Sequence, residues 1–125
     1  MKFVCLAYYV PQQFDALQEA ERDALVRACK ARDPELAATG AVVLQGSLGS
    51  AADTRCLRPG RGGPIVTDGP YTETKEQVGG LFIIEARDID EAVAIASKHP
   101  AAQVGAEVGM GVEVRPIGNF GGASD

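Results

Sequence analysis

Positive charge is in short supply. Lys and Arg number 12 against 17 Asp and Glu, for a net charge of -5 at pH 7. Nucleic-acid binders draw most of their affinity from neutralising phosphates, and anionic lipid surfaces need a polybasic patch. The sequence has neither feature, so nucleic acid and membrane are not expected partners. Histidine occurs once, as His99, and tryptophan not at all. The three cysteines, Cys5, Cys29 and Cys56, are odd in number, widely spaced and outside any CxxC pair. That pattern argues against a disulfide framework and against a zinc site. A single histidine also leaves too few ligands for a multi-histidine metal centre. No metal or cofactor is therefore expected, and the reading is a reducing, cytoplasmic compartment. Long apolar runs are missing too. Leu81-Phe82-Ile83-Ile84 is strand-length, far below a membrane span. Met1 to Leu6 carries a charge but lacks the long apolar region and cleavage site of a secretory signal.

What is present suits one globular domain: 125 residues, 46% hydrophobic and 23% charged. Lys2 to Tyr9 is apolar on both alternating faces, as in a central strand. Phe14, Leu17, Ala24, Leu25, Ala28 and Cys29 recur at three-to-four spacing, predicting one amphipathic helix over about Phe14 to Arg32. Pro34 is expected to interrupt it, with Asp33 capping a last turn and Gly40 closing it in a left-handed conformation. Ala41 to Leu48 reads as the second strand. Thr54–Leu57 and Pro64–Thr67 flank Gly60-Arg61-Gly62-Gly63, a hairpin signal. No helix follows that glycine tip, so a phosphate cradle is disfavoured. Leu81 to Ala86 is a further strand. Asp88 and Glu91 cap a second helix, whose last turn is expected to hold Lys98 and His99 before Pro100 stops it. Gly111 to Pro116 is the last strand. Residues 1–117 form the expected domain, and 118–125 a flexible tail.

The order β-α-β, hairpin, β-α-β is the α+β, ferredoxin-like plan. Two helices cover one face of such a sheet, yet the central strands are apolar on both. A homodimer pairing two open sheet faces, a dimeric α/β barrel, would bury the second face and leave a cleft for a small ligand.

The segment after the hairpin is dense in titratable groups. Asp68-Gly69-Pro70-Tyr71, then Glu73-Thr74-Lys75-Glu76, then Gly79-Gly80, resembles the signature of the DGPF group within the YCII-related superfamily. Tyr71 stands where Phe is usual. Met1-Lys2-Phe3, Ile89-Asp90-Glu91-Ala92 and Val112-Glu113-Val114-Arg115-Pro116 are similar to that family's start, second helix and closing strand. The resemblance implies a dimeric α/β-barrel fold and a biochemical role that is mostly unassigned. Some relatives are linked to breakdown of chlorinated aromatics as dehydrochlorinases. A His-Asp pair was proposed as an acid-base site in the YCII branch, and DGPF relatives are often encoded beside sigma factors of the extracytoplasmic-function type. The YCII-type histidine lies on the first helix, where this chain has Ala28 and Cys29, so that pair does not carry over.

Asp68 is the first candidate base. An Asp at the first position of a Gly-Pro turn accepts bonds from its own backbone, which is reason enough for its presence. The same turn would also fix it at a cleft mouth with a raised pKa, suited to general-base work. Lys75 and Glu76 form either a solvated shoulder or, with Glu73, a device that holds an anionic substrate group. Glu113 and Arg115 share one sheet face and make either a cross-strand pair or a carboxylate clamp. His99 is a helix-end residue favoured by the dipole, or an acid-base group. Tyr8 and Tyr71 are candidate aromatic contacts. Two functions of different class follow. One is a cofactor-free isomerase or lyase acting on a small organic acid, phenol or lactone. The other is a non-catalytic module that binds an anionic or aromatic metabolite, or a partner such as a sigma factor.

Overall fold

The structure is a computed structural model that describes residues 1–70 and 75–121. Strand β1 (Lys2–Tyr9) leads into a short helix α1 (Pro11–Asp15) and a long helix α2 (Glu19–Ala37). Strand β2 (Val42–Ser47) follows, then the hairpin β3 (Arg55–Gly60) and β4 (Gly63–Asp68). Strand β5 (Gln77–Glu85), helix α3 (Ile89–Ala96) and strand β6 (Gly111–Pro116) complete the order. The main sheet has four strands in the order β2-β5-β1-β6, and every neighbouring pair is antiparallel. This is the ferredoxin-like arrangement, with the β3-β4 hairpin set apart as its own two-stranded sheet. Among the described residues, no helix is long and apolar enough to cross a membrane.

Alternation along the strands sorts the two faces. Phe3, Cys5, Phe82 and Ile84 are fully buried and join Leu36, Ala86, Ala92 and Ala96 in one core beneath the helices. The opposite face carries Val4, Leu6, Leu81 and Ile83, none of them fully buried, with Leu44 44% exposed beside Ile83. Glu113 pairs with Leu6 and Arg115 with Val4, so both charged residues of β6 share this open face.

The expected single first helix is two. The chain breaks at Ala16 to Gln18, and Glu21 accepts the Gln18 N–H at 2.9 Å in a capping box that restarts the helix. The three-to-four spacing runs through the break, although Phe14 packs on Tyr9 of β1 while Ala24, Leu25 and Ala28 of α2 line a hollow with the segment after α3. Pro34 does not interrupt α2, which continues to Ala37. Leu36, 2% exposed, anchors that turn in the core. Burying a Leu side chain is worth about 1.5–3 kcal/mol and offsets much of the roughly 3 kcal/mol cost of an interior proline. Gly40 is left-handed as expected, at φ 71°.

One other expectation needs correcting. Helix α3 ends at Ala96, with Ser97 as its C-cap, so His99 lies beyond its last turn. In the segment after β6, the Phe120 ring lies beneath the Lys2 ammonium at 5.0 Å.

Candidate functional site

A cavity of about 900 Å³ opens where β1, α1, α2, β2 and the segment after α3 converge. Its titratable lining is Tyr8, Tyr9, Asp15, Cys29, Lys30, Asp33 and His99, with Phe14 as an apolar wall. Each is placed by an identifiable local cause. Tyr9 ends β1 and meets Phe14 of α1 edge-to-face, with ring centroids 6.1 Å apart. Cys29 and Asp33 are four residues apart on α2 and therefore on one helix face. His99 precedes Pro100 at the start of a 3-10 turn (Pro100–Ala102).

His99 is the most constrained of these groups. Its Nδ1 accepts the Ala101 N–H at 3.0 Å. Its ring lies flat on Phe82, with centroids 4.7 Å apart and planes 5° from parallel. Burial holds its pKa below the usual 6.5, and the nearby Asp33 carboxylate acts weakly in the opposite sense. The dipole role expected from a helix-end position is therefore replaced by a capping role that needs the neutral ring. On α2, burial first, then the Asp33 and Glu107 carboxylates, push the Cys29 thiol up, so this cysteine is not an activated nucleophile.

A second, shallower cavity of about 660 Å³ lies at the end of the open sheet face. It brings together Tyr8, Lys75, Glu76 and Glu113, four of the residues singled out in the sequence. The Tyr8 hydroxyl donates to Glu113 Oε1 at 3.4 Å. Partial desolvation, then the charges of Glu113 and Glu76, raise the Tyr8 phenol above its usual value. Tyr8 lines both cavities.

The other sequence candidates lie elsewhere. Asp68 ends β4 with its side chain 92% exposed and 3.5 Å from Arg55 Nε. It lines neither cavity, so the desolvated position expected at a cleft mouth is not met. The next residue, Gly69, packs so closely that an added Cβ would meet Cys56 Sγ at 2.6 Å. Arg115 is exposed on the open face, on the same side of β6 as Glu113, and lines neither cavity. Tyr71 and Glu73 lie outside the described residues. The sequence reads Asp33 only as a helix cap and gives Lys30 no role, although the i, i+4 spacing of Cys29 and Asp33 signals a shared face. Among the described residues, no group of three or more His, Cys, Asp or Glu gathers as a metal site.

The YCII-related domain model matches residues 1–118. The chain belongs to the YCII-related family. An uncharacterized protein of Rhizobium meliloti (strain 1021) is 29% identical over 96 residues, which is 77% of each chain. Among solved structures, the 5-chloro-2-hydroxyhydroquinone dehydrochlorinase TftG of Burkholderia phenoliruptrix AC1100, in complex with 2,5-dihydroxybenzoquinone, superposes with a TM-score of 0.51. That likeness covers 96% of each chain at 17% identity and establishes the shared fold of this YCII-related protein.

Proposed function

We propose that this YCII-related protein is a homodimeric, cofactor-free acid-base enzyme of the lyase or isomerase type, acting on a small phenol, organic acid or lactone. The observation that carries the reading is the 900 Å³ cavity, which gathers a neutral histidine, the carboxylates of Asp15 and Asp33 and aromatic walls in one cleft. A carboxylate at its edge, Asp33, takes a proton from a substrate carbon, and negative charge gathers on a substrate oxygen. The fold shared with a dehydrochlorinase supports this reading, since fold likeness raises the prior for a reaction class without assigning residues. Asp68, the first candidate from the sequence, gives way to Asp33 because it lines neither cavity. Lys75, Glu76 and Glu113 form a charged mouth on the open face, next to the proposed interface. The apolar row Val4, Leu6, Leu81 and Ile83 supports the homodimer, because a second sheet would remove it from water.

The test is a thermal-shift screen with phenols, aromatic acids, lactones and 2,5-dihydroxybenzoquinone. A ligand at a hundred times its Kd adds about 2.7 kcal/mol of stability, which is readily seen. The expected result is stabilisation of the wild type, reduced in Asp33→Asn and His99→Asn but kept in Lys75→Ala. Loss of the shift in Lys75→Ala alone would move the ligand to the open-face cavity.

A non-catalytic module is the second reading. Leu57 and Val66 face each other across the hairpin and are 58% and 59% exposed, an apolar surface that suits a protein partner such as a sigma factor. Partner capture that fails in Leu57→Ser and Val66→Ser, with no ligand shift in any screen, would favour it.

A further inference from the structure

We propose that His99 acts in the large cavity as a neutral hydrogen-bond donor through Nε2–H, binding the oxygen of a phenol or enolisable carbonyl on which negative charge develops. The inference rests on the reading of that cavity as the substrate site and assigns the ring its task there. The argument is one of donors and acceptors. A backbone N–H can only donate. Ala101 N–H points at His99 Nδ1 from 3.0 Å, so Nδ1 carries the lone pair and the ring hydrogen is on Nε2. A ring in that tautomer has no free lone pair with which to take a proton, so it is not the base. Protonating it would place an N–H at Nδ1 against the Ala101 N–H and break the cap.

The ring is also immobilised. Its face is stacked on fully buried Phe82 and its edge is tied to Ala101, so Nε2–H has one fixed direction. A donor that does not reorganise, in a partly dehydrated site, is the requirement for stabilising a developing oxyanion. The charged groups that share the cavity complete the division of labour. Asp15, on α1, and Asp33, on α2, are carboxylates available to accept the proton, and Lys30 adds positive charge at the rim. The Tyr8 phenol, from β1, and the Cys29 thiol are both pushed above their usual values and bring no charge near neutral pH. The ligand class is therefore a compound that is more tightly held as its oxyanion than as its neutral form.

The single histidine makes the test direct. Nitrogen-15 spectra of the imidazole at pH 7 are expected to show the neutral Nε2–H tautomer. 4-Nitrophenol, whose ionisation is read from its visible absorbance, then serves as the probe. Bound to the wild type, its half-ionisation pH is expected to fall by about one unit or more, the effect of one hydrogen bond to the charged form. His99→Gln places an amide N–H near the Nε2 position and is expected to retain most of that fall. His99→Asn keeps an oxygen for the Ala101 N–H, and so keeps the fold, but is expected to lose it. An Nδ1–H tautomer, an imidazolium at pH 7, or an unchanged fall in His99→Asn would overturn the role of His99 while leaving the cavity as the ligand site. Failure of 4-nitrophenol to bind any of the three proteins would overturn both readings.

Discussion

His99 and Phe82 lie ring on ring, 4.7 Å between centroids and 5° from parallel. Phe82 is fully buried at the centre of β5, so the core itself sets the plane of the one histidine in the chain. The contact joins the hydrophobic core to the cavity, and it makes the state of His99 a property of folding as well as of binding.

The first prediction is pH dependence with a definite sign. The folded-state pKa of His99 is held below 6.5 by burial, so the unfolded chain binds the proton first as pH falls. Stability is full above about pH 6.5, declines as pH drops through the unfolded value, and stops declining below the folded one. Thermal melts between pH 7.5 and 5 are expected to show this decline in the wild type and to lose it in His99→Asn. Glu85 acts in the same sense lower on the scale, since its folded pKa is also depressed. Hydrogen bonds from the Met1 ammonium, then from Lys2, lower its pKa below 4.5, so its contribution disappears only in stronger acid.

Thiol reactivity should separate the cysteines. Cys5 is fully buried in the core and its pKa is pushed up to about 11, so it is expected to resist alkylation until the protein unfolds. Cys29 is half-buried along the cavity and is expected to react slowly in the native state. A ligand that fills the cavity should protect it. Mass spectrometry of iodoacetamide adducts, with and without a hit from the thermal-shift screen, reads both effects; protection of Cys56 instead would place the ligand at the hairpin.

Gly105 is a backbone requirement. It has φ 84°, and an added Cβ would collide with the Met110 side chain. Gly105→Ala is expected to cost about 1–3 kcal/mol in urea unfolding. Gly62→Ala, with nothing within 4 Å of its added Cβ, is the matched control and should stay within about 0.5 kcal/mol of the wild type.

The proposed dimer has its own test. Val4 pairs with Ile83 and Leu6 with Leu81 across the open sheet face. Ile83→Glu would place a charge in the middle of that row. The wild type is expected to sediment as a dimer and Ile83→Glu as a folded monomer. A monomeric wild type would remove the interface from the functional reading.

Much of the fold was legible in the residues because it depends on short-range patterns. Alternation marked β1, capping chemistry at Asp88 and Glu91 marked α3, and the glycine tip marked the hairpin, where strands pair from Arg55 to Asp68. The break in the first helix was missed because apolar periodicity continued across it, although Gln18 and Glu21 carried a local capping signal. The site was less legible. Asp68 stood out in a dense polar segment, yet residue density does not report burial, and its side chain is in solvent. Tyr8, Lys75, Glu76 and Glu113 were singled out separately and do converge, but at the smaller cavity.

The order of elements and the amphipathic faces thus follow from the sequence by itself, since each depends on neighbours a few residues apart. Only the tertiary structure decided that His99, Phe82 and Asp33 come together from a loop, a strand and a helix distant along the chain. It also decided the tautomer of His99. Burial and the Ala101 N–H set that state, and neither exists until the sheet and the segment after α3 have packed.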